Sequence, residues 1–371
     1  MIAQGGYGCV YYPEMDKDGK ETNNKKYVSK LQLKNMFQTK NEIEIGKMLE
    51  EIKNGELFFS GINSSSNINI AKINKKLASP CDMLKNYKSD QFILMRIKYI
   101  GKNNFQEYFL NLQDNKNAFL YLIETYKRLL SGIDILNKNR LVHFDLKDNN
   151  IMFSESKVIP IIIDFGLSIR LDDAKNNLDK YFYIYAPDYY YWPLEVHYLN
   201  FLINIDTNPT DDDIRTMAIM YVKNNTVLEN YFSINFRKNY LKECLKVLEK
   251  LRKTKNVIDK ILEKANTWDN YTLSLLYLKY LSFFNPTGFV KNPFTSNFCE
   301  LLLYNIHPNP DKRKTAEETL KSFETIFCNK NVNVTSNFIE ILENLSKVSA
   351  EMKRAIKADK KELMRLESII L

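Results

Sequence analysis

The sequence predicts an α+β fold built as two lobes, a small β-rich N-terminal lobe and a large helical C-terminal lobe. Three observations lead there. In the first hundred of the 371 residues, apolar side chains come in short runs of strand length, with one amphipathic helix among them. A long helical stretch follows, and then two short apolar runs close a polar loop. From about residue 210 the periodicity is helical. Strands gathered early and helices gathered late are the order of an α+β chain, and no internal repeat interrupts it.

Residues 1–12 are a Gly-rich turn followed by CVYY, an apolar–aromatic stretch suited to a strand. So little chain precedes the turn that the first strand should be nearly absent, which means either a truncated start or a turn held by fewer contacts than usual. Tyr27–Leu33 (YVSKLQL) reads as a strand, and Lys40–Ile52 as a helix with Ile45, Met48, Leu49 and Ile52 on one face. Residues 60–90, with SGINSSSNIN and SPCD, read as loop. Phe92–Ile97 (FILMRI) is a short apolar strand. Asn117–Leu136 is a helix carrying Leu120, Ile123, Tyr126, Leu130 and Ile133 along one side. Strands are expected at Ile151–Phe153 and Val158–Ile163, the second an unbroken apolar run that should be buried. The domain boundaries that follow are 1–98 for the N-lobe, 99–325 for the C-lobe and 326–371 for a helical, charge-laced tail.

Composition bounds the chemistry. With 44% hydrophobic residues the chain can bury a sizeable core. Its 53 Lys+Arg against 45 Asp+Glu give a formal charge of +8, a mild excess spread along the whole length. That pattern suits solvated faces better than a dedicated nucleic-acid surface. Five cysteines (Cys9, Cys81, Cys244, Cys299, Cys328) show no close pair of metal-ligand spacing, which argues for a reducing compartment and against a disulfide framework or a zinc site. No apolar run reaches the ~20 residues of a membrane helix, and MIAQGGYGCVYY lacks a signal pattern. A soluble, cytoplasmic protein is expected.

Two stretches could carry chemistry near phosphates. In GGYGCV at 5–10, the glycines Gly5, Gly6 and Gly8 with Val10 can form a loop whose backbone N–H groups approach phosphates, although a plain hairpin turn would look the same. Lys30 ends a candidate strand, and an ammonium that meets phosphates needs a carboxylate to fix it. Glu42 and Glu44 both lie within reach on the next helix, but two residues apart they point about 200° apart, so only one can face the lysine. Glu42 lies nearer the apolar stripe and is the choice, while Met48 gives Glu44 some support.

The stretch LVHFDLKDNN at 141–150 is more specific. It sets His143, Asp145, Lys147 and Asn150 in the pattern H-x-D-L-K-x-x-N, between a helix and a strand. In-line phosphoryl transfer needs a carboxylate to orient the attacking hydroxyl, for which Asp145 is placed. It also needs a cation near the transferring group, Lys147, and an oxygen ligand for magnesium, Asn150. Fourteen residues past Asn150, directly after the apolar run VIPIII, comes Asp164-Phe165-Gly166. Asp164 would be the main magnesium ligand.

This ordered set resembles the eukaryotic-type protein kinases, and the resemblance covers residues 1 to about 325. Further landmarks agree. Pro193 and Glu195 in WPLE resemble the Ala-Pro-Glu motif, loosened by one residue; DNYTLSLLYL at 269–278 resembles the helix that braces the catalytic loop through Asp269; and HPNPDKRKTAEETL at 307–320 offers Arg313 as ion-pair partner of Glu195. The resemblance implies a bilobal protein-kinase fold, ATP and Mg²⁺ as cofactors, and a protein substrate. Lys147 two residues past Asp145 favours the serine/threonine type, and the compact start and Lys/Asn richness are similar to kinases of large DNA viruses, which would place it in host cytoplasm or virion. A scaffold that has lost catalysis is the alternative; against it, Lys30, Asp145, Asn150 and Asp164 are all present. A kinase for small molecules or lipids is a third reading, against which Lys147, Asp269 and Arg313 weigh.

The chain departs from the family in several places. Residues 198–267 are a helical insertion whose NYLKECLKVLEKLRKTKNVIDKILEK carries Leu241, Leu245, Leu248, Leu251, Ile258 and Ile261 at helical spacing. Such a stripe either packs on the C-lobe or, like the tail, offers a regulatory partner a surface. Ala3 replaces the first glycine of the loop motif, and the nearly absent first strand, which leaves the loop fewer contacts, predicts weakened ATP affinity. Phe144 stands where the family has an arginine that receives an activation-loop phosphate. Between Ile169 and Glu195 there is no serine or threonine, only tyrosines such as Tyr181, Tyr183 and Tyr185. Activity independent of Ser/Thr phosphorylation in this segment is therefore expected. The missing threonine also removes a hydroxyl that the family sets against Asp145 and Lys147.

Overall fold

The computed structural model describes residues 2–5, 8–86, 91–111, 115–154, 159–284 and 293–328. Gly6, Val158 and the tail from 329 onward lie outside these residues. The described chain divides into two compact units, one formed by 2–105 and 149–168, the other by 106–148 and 169–328.

The first unit is built on a five-stranded antiparallel sheet in the order β1-β2-β3-β6-β5. Its strands are β1 (Ala3–Gly5), β2 (Gly8–Tyr11), β3 (Tyr27–Leu33), β5 (Ile62–Asn67) and β6 (Phe92–Lys98). A three-stranded sheet in the same unit joins β4 (Phe59–Ser60), β9 (Pro160–Ile163) and β8 (Ile151–Phe153). β3 is a central strand paired along its whole length with β6, from Tyr27↔Lys98 to Leu33↔Phe92. Five of its seven residues are buried, as a strand flanked on both sides requires. Helix α1 (Phe37–Glu51) lies against this sheet, and Thr39 Oγ1 donates to Gln32 Oε1 at 3.0 Å to fasten its first turn to β3. Gly46 is the point of closest approach, since a Cβ there would stand 2.9 Å from the Ile62 carbonyl oxygen.

Two expectations are corrected here. Residues 60–90 are not all loop: β5 (INSSSN) pairs with β6, with a register shift between Ile62 and Ser64. All but its first residue are exposed, so it is an edge strand held by backbone pairing and carries no apolar alternation to reveal it. The second correction concerns the cysteines. Cys9 on β2 and Cys81 are joined by a disulfide across 72 residues of sequence, inside an apolar cluster with Tyr11, Met15, Leu31, Ile68 and Ile73. Sequence spacing says nothing about such a long-range pair. β1 is three residues long and pairs Gly5 with Gly8 across the turn.

The second unit is helical. The Asn115–Lys138 helix buries Tyr126, Leu130, Ile133 and Leu136, and the Trp268–Phe284 helix is buried on every side from Tyr271 to Leu281. The 198–267 stretch forms several helices. Its amphipathic segment divides into Ile234–Arg252 and Val257–Leu262, with Asn256 in left-handed backbone between them. The longer helix buries Tyr240, Cys244, Val247, Leu248 and Leu251, and Tyr240 donates its hydroxyl to the Ile306 carbonyl at 2.6 Å. Of the stripe expected from the sequence, Leu248, Leu251 and Ile261 are buried while Leu241, Leu245 and Ile258 are only half-buried, because the buried face is turned toward Tyr240, Cys244 and Val247. No helix among the described residues is long and apolar enough to cross a membrane.

Candidate active site

In the first unit, the alternation of β3 turns Lys30 inward, toward α1. Its Nζ lies 2.9 and 3.0 Å from the two oxygens of Glu42 and 2.9 Å from Asp164 Oδ1. Of the two candidate acids, Glu42 is buried against the sheet, and Glu44, about 200° around the helix, is exposed. Burial alone would push the Lys30 ammonium below its ordinary value, but the charges of Asp164 and Glu42 outweigh it and hold it above. Burial also pushes Glu42 upward against the pull of Lys30. The ammonium therefore stays charged and fixed.

Asp164 occupies left-handed backbone, φ 64°, a region that aspartate tolerates. Its neighbours hold that geometry: Phe165 is buried edge-on to Phe59 at 6.0 Å, and Asn41 of α1 donates to the Ser168 carbonyl at 2.6 Å. One Asp164 oxygen is engaged by Lys30 while the side chain remains 42% exposed. Asn150 ends a short 3₁₀ turn, is buried, and leads into β8. Gly5 and Gly8 face each other across the β1–β2 turn, and Val10 pairs with Lys30 across β2–β3. A Cβ on Gly8 would stand 2.4 Å from the Leu31 carbonyl oxygen, so packing against β3 by itself requires glycine there.

In the second unit, the loop after β7 (Leu141–Val142) presents Asp145 and Lys147, whose Oδ2 and Nζ are 3.2 Å apart. Asp269, at the start of the buried Trp268–Phe284 helix, accepts from the backbone N–H of His143 at 2.6 Å and of Phe144 at 2.9 Å. Burial pushes this carboxyl upward, and His143 with the two backbone donors pulls it back. The bracing meets a local cost, because Phe144 has φ 67°, an uncommon backbone for a bulky residue. Glu195 and Arg313 form a fully buried ion pair, with Trp268 Nε1 donating to Glu195 Oε1 at 3.0 Å.

Several residues here were not singled out in the sequence. Asp148 is buried and held by the Tyr280 hydroxyl at 2.5 Å and by Lys279 Nζ at 3.2 Å. The Tyr189 hydroxyl lies 3.1 Å from Asp145 Oδ1, and Trp192 Nε1 donates to the Phe144 carbonyl at 2.8 Å. The sequence signal for the last two is the aromatic run at 189–192, which assigns no role to Tyr189 and none to the Trp192 ring that opens WPLE.

Residues 1–323 match the family described as protein kinase domain. A 67-residue stretch is 43% identical to calcium-dependent protein kinase 4 of Plasmodium falciparum, covering 17% of this chain and 13% of that protein. Another of 89 residues is 26% identical to the interferon-induced, double-stranded RNA-activated protein kinase of Rattus norvegicus, covering 24% of this chain and 17% of that protein. A third, of 52 residues, is 35% identical to mitogen-activated protein kinase kinase kinase 8 of Rattus norvegicus, over 14% of this chain and 11% of that one. The chain thus aligns with less than a fifth of the length of each of these relatives. Among solved structures, the twitchin kinase region of C. elegans aligns over 91% of this chain and 46% of its own, with TM-score 0.45 and 12% identity.

Proposed function

The chain belongs to the protein kinase family, and from that premise we propose that it is an active serine/threonine kinase that moves the γ-phosphoryl group of ATP to a protein hydroxyl. The acceptor oxygen attacks the γ-phosphorus, the bond to the β,γ-bridging oxygen breaks, and ADP leaves with that electron pair. Asp145 orients the acceptor and takes its proton, and Lys147 offsets charge on the transferring group. Lys30, fixed by Glu42, meets the α- and β-phosphates, and the Gly5–Gly8 turn covers them.

Asp164 and Asn150 would hold Mg²⁺. They offer one half-exposed carboxylate and one amide oxygen, too few for an all-protein cage and suited to an ion whose remaining ligands are phosphate oxygens and water. Bound there, Mg²⁺ neutralises charge on the β- and γ-phosphates.

The observation that carries the reading is the Lys30–Glu42–Asp164 cluster. A buried ion pair adds little stability that apolar side chains of the same volume would not. A pure scaffold has no use for one buried ammonium held within 3.0 Å of two separate carboxylates. Lys147 is the feature that favours serine and threonine over tyrosine, and the short start and loosened WPLE are those that favour kinship with kinases of large DNA viruses.

The test is transfer of label from γ-labelled ATP to generic protein substrates, comparing the wild type with Asp145→Asn. Transfer by the wild type, falling at least about a hundredfold in the variant, is expected. Two unlabelled reactions together with no nucleotide binding would overturn the reading in favour of a partner-binding scaffold.

A further inference from the structure

Tyr189 lies in the stretch where the sequence has no serine or threonine to offer the catalytic carboxylate. Its hydroxyl donates to Asp145 Oδ1 at 3.1 Å, while Lys147 Nζ sits 3.2 Å from Oδ2. Both oxygens of a carboxylate that is itself only 11% exposed are thereby engaged by the chain. The tyrosine is not a loosely placed side chain. It is 7% exposed, and its ring stands edge-on to Trp192 at 5.0 Å and 77°, with Tyr191 tilted against it at 5.6 Å.

These contacts close on themselves. Trp192 stacks on Phe144 at 4.7 Å and donates its indole N–H to the Phe144 carbonyl. Phe144 immediately precedes Asp145. A path from the carboxylate through Tyr189 and Trp192 therefore returns to the backbone that carries the carboxylate. A phenol on a buried ring that packs against Trp192 and Tyr191 sets the torsion of the acid it donates to.

We propose that Tyr189 is a positioning residue for phosphoryl transfer, its hydroxyl fixing the Asp145 carboxylate in the orientation that receives the acceptor. This rests on the reading of Asp145 as the residue that orients the acceptor. Placement of that kind acts on the chemical step and leaves nucleotide binding alone.

The test is Tyr189→Phe, which removes one hydroxyl and keeps the ring. The expected result is a fall in kcat of about ten- to a hundredfold, with the KM for ATP and the melting temperature unchanged. An unchanged kcat overturns the proposal, and a raised kcat overturns it too, since the hydroxyl would then be competing with the acceptor. If Tyr189→Phe also lowers the melting temperature, fluorotyrosines of graded phenol acidity at position 189 decide. They keep the shape and change the strength of the donor, so kcat that tracks acidity supports positioning and a flat series refutes it. A wild type that transfers no label fails the kinase reading instead, so the two failures are distinguishable.

Discussion

Trp192 meets Phe144 twice. The two rings stack at 4.7 Å and 17°, and the indole Nε1 donates to the Phe144 carbonyl at 2.8 Å. Phe182 stands edge-on to Phe144 at 5.7 Å, and Trp268 tilts against it at 5.7 Å. Where the family resemblance implies an arginine waiting for a phosphate, this chain has an aromatic cluster that ties residues 182–192 to the loop carrying Asp145. Burial of aromatic surface needs no modification to switch it on. The cluster also helps hold Phe144 in its left-handed backbone, against a cost of about 1–3 kcal/mol for such a conformation.

Restoring the arginine should therefore harm the protein. In Phe144→Arg a guanidinium would enter a site walled by Phe182, Trp192 and Trp268, all buried. A loss of stability of about 3 kcal/mol or more is expected, read by urea unfolding. Serine/threonine phosphatase treatment of the wild type should leave activity intact. Activity abolished by phosphatase, or a Phe144→Arg variant as stable as the wild type, would refute the role given to the cluster.

The Lys30–Glu42 pair allows a separation of stability from function. Lys30→Met strands the buried Glu42 carboxylate and is expected to cost about 3–5 kcal/mol, whereas Glu42→Gln leaves the ammonium paired with Asp164 at 2.9 Å and should cost less. The double change to Lys30→Met with Glu42→Leu leaves neither charge behind and should recover most of that loss. Nucleotide binding should stay lost in the double variant. A double variant as unstable as the sum of the singles would mean that the pair is not coupled as the 2.9 Å contact indicates.

Much of this arrangement was legible in the sequence where local pattern and chemistry coincide. β3, β6, β8 and the Asn115–Lys138 helix follow from apolar periodicity. The association of Lys30 with Glu42 follows from helix geometry and the nearby apolar stripe. What stayed hidden depends on tertiary pairing. β5 has no apolar alternation because it is an edge strand, and Cys9 reaches Cys81 only once the sheet is folded. Tyr189 sits in a run of aromatic residues that carries no motif of its own, and only the path of residues 182–192 past the 141–150 loop brings its hydroxyl to Asp145.

Asp269 offers a check on the loop's backbone. Its two oxygens accept from consecutive N–H groups, His143 and Phe144, in a buried position. An amide can accept with one oxygen only, so Asp269→Asn leaves one donor unpaired beside a strained residue. About 2 kcal/mol of destabilisation is expected, together with a fall in kcat. Chemical denaturation and steady-state kinetics on the same preparation would read both, and an unchanged kcat would show that the brace does not set the position of Asp145.

His197 makes a prediction about pH. It lies wholly buried in the Leu194–Asn204 helix, with its ring tilted to Trp192 at 6.1 Å and Tyr221 at 5.5 Å. Burial lowers its pKa to about 4, with the backbone of Trp192 and Tyr189 pulling weakly the other way. In the unfolded chain the same imidazole titrates near its ordinary value of about 6.5. Across that interval the unfolded state holds a proton that the folded state does not, so stability rises with pH. The contribution is fully present above about pH 6.5 and is lost as pH falls toward about 4, for a total on the order of 3 kcal/mol. His197→Gln, which has nothing to titrate there, should lose correspondingly less stability than the wild type between about pH 7.5 and about pH 4.5. Urea unfolding of both proteins across that range would show converging stabilities, and two parallel curves would mean that His197 protonates in the folded protein as readily as in the unfolded chain.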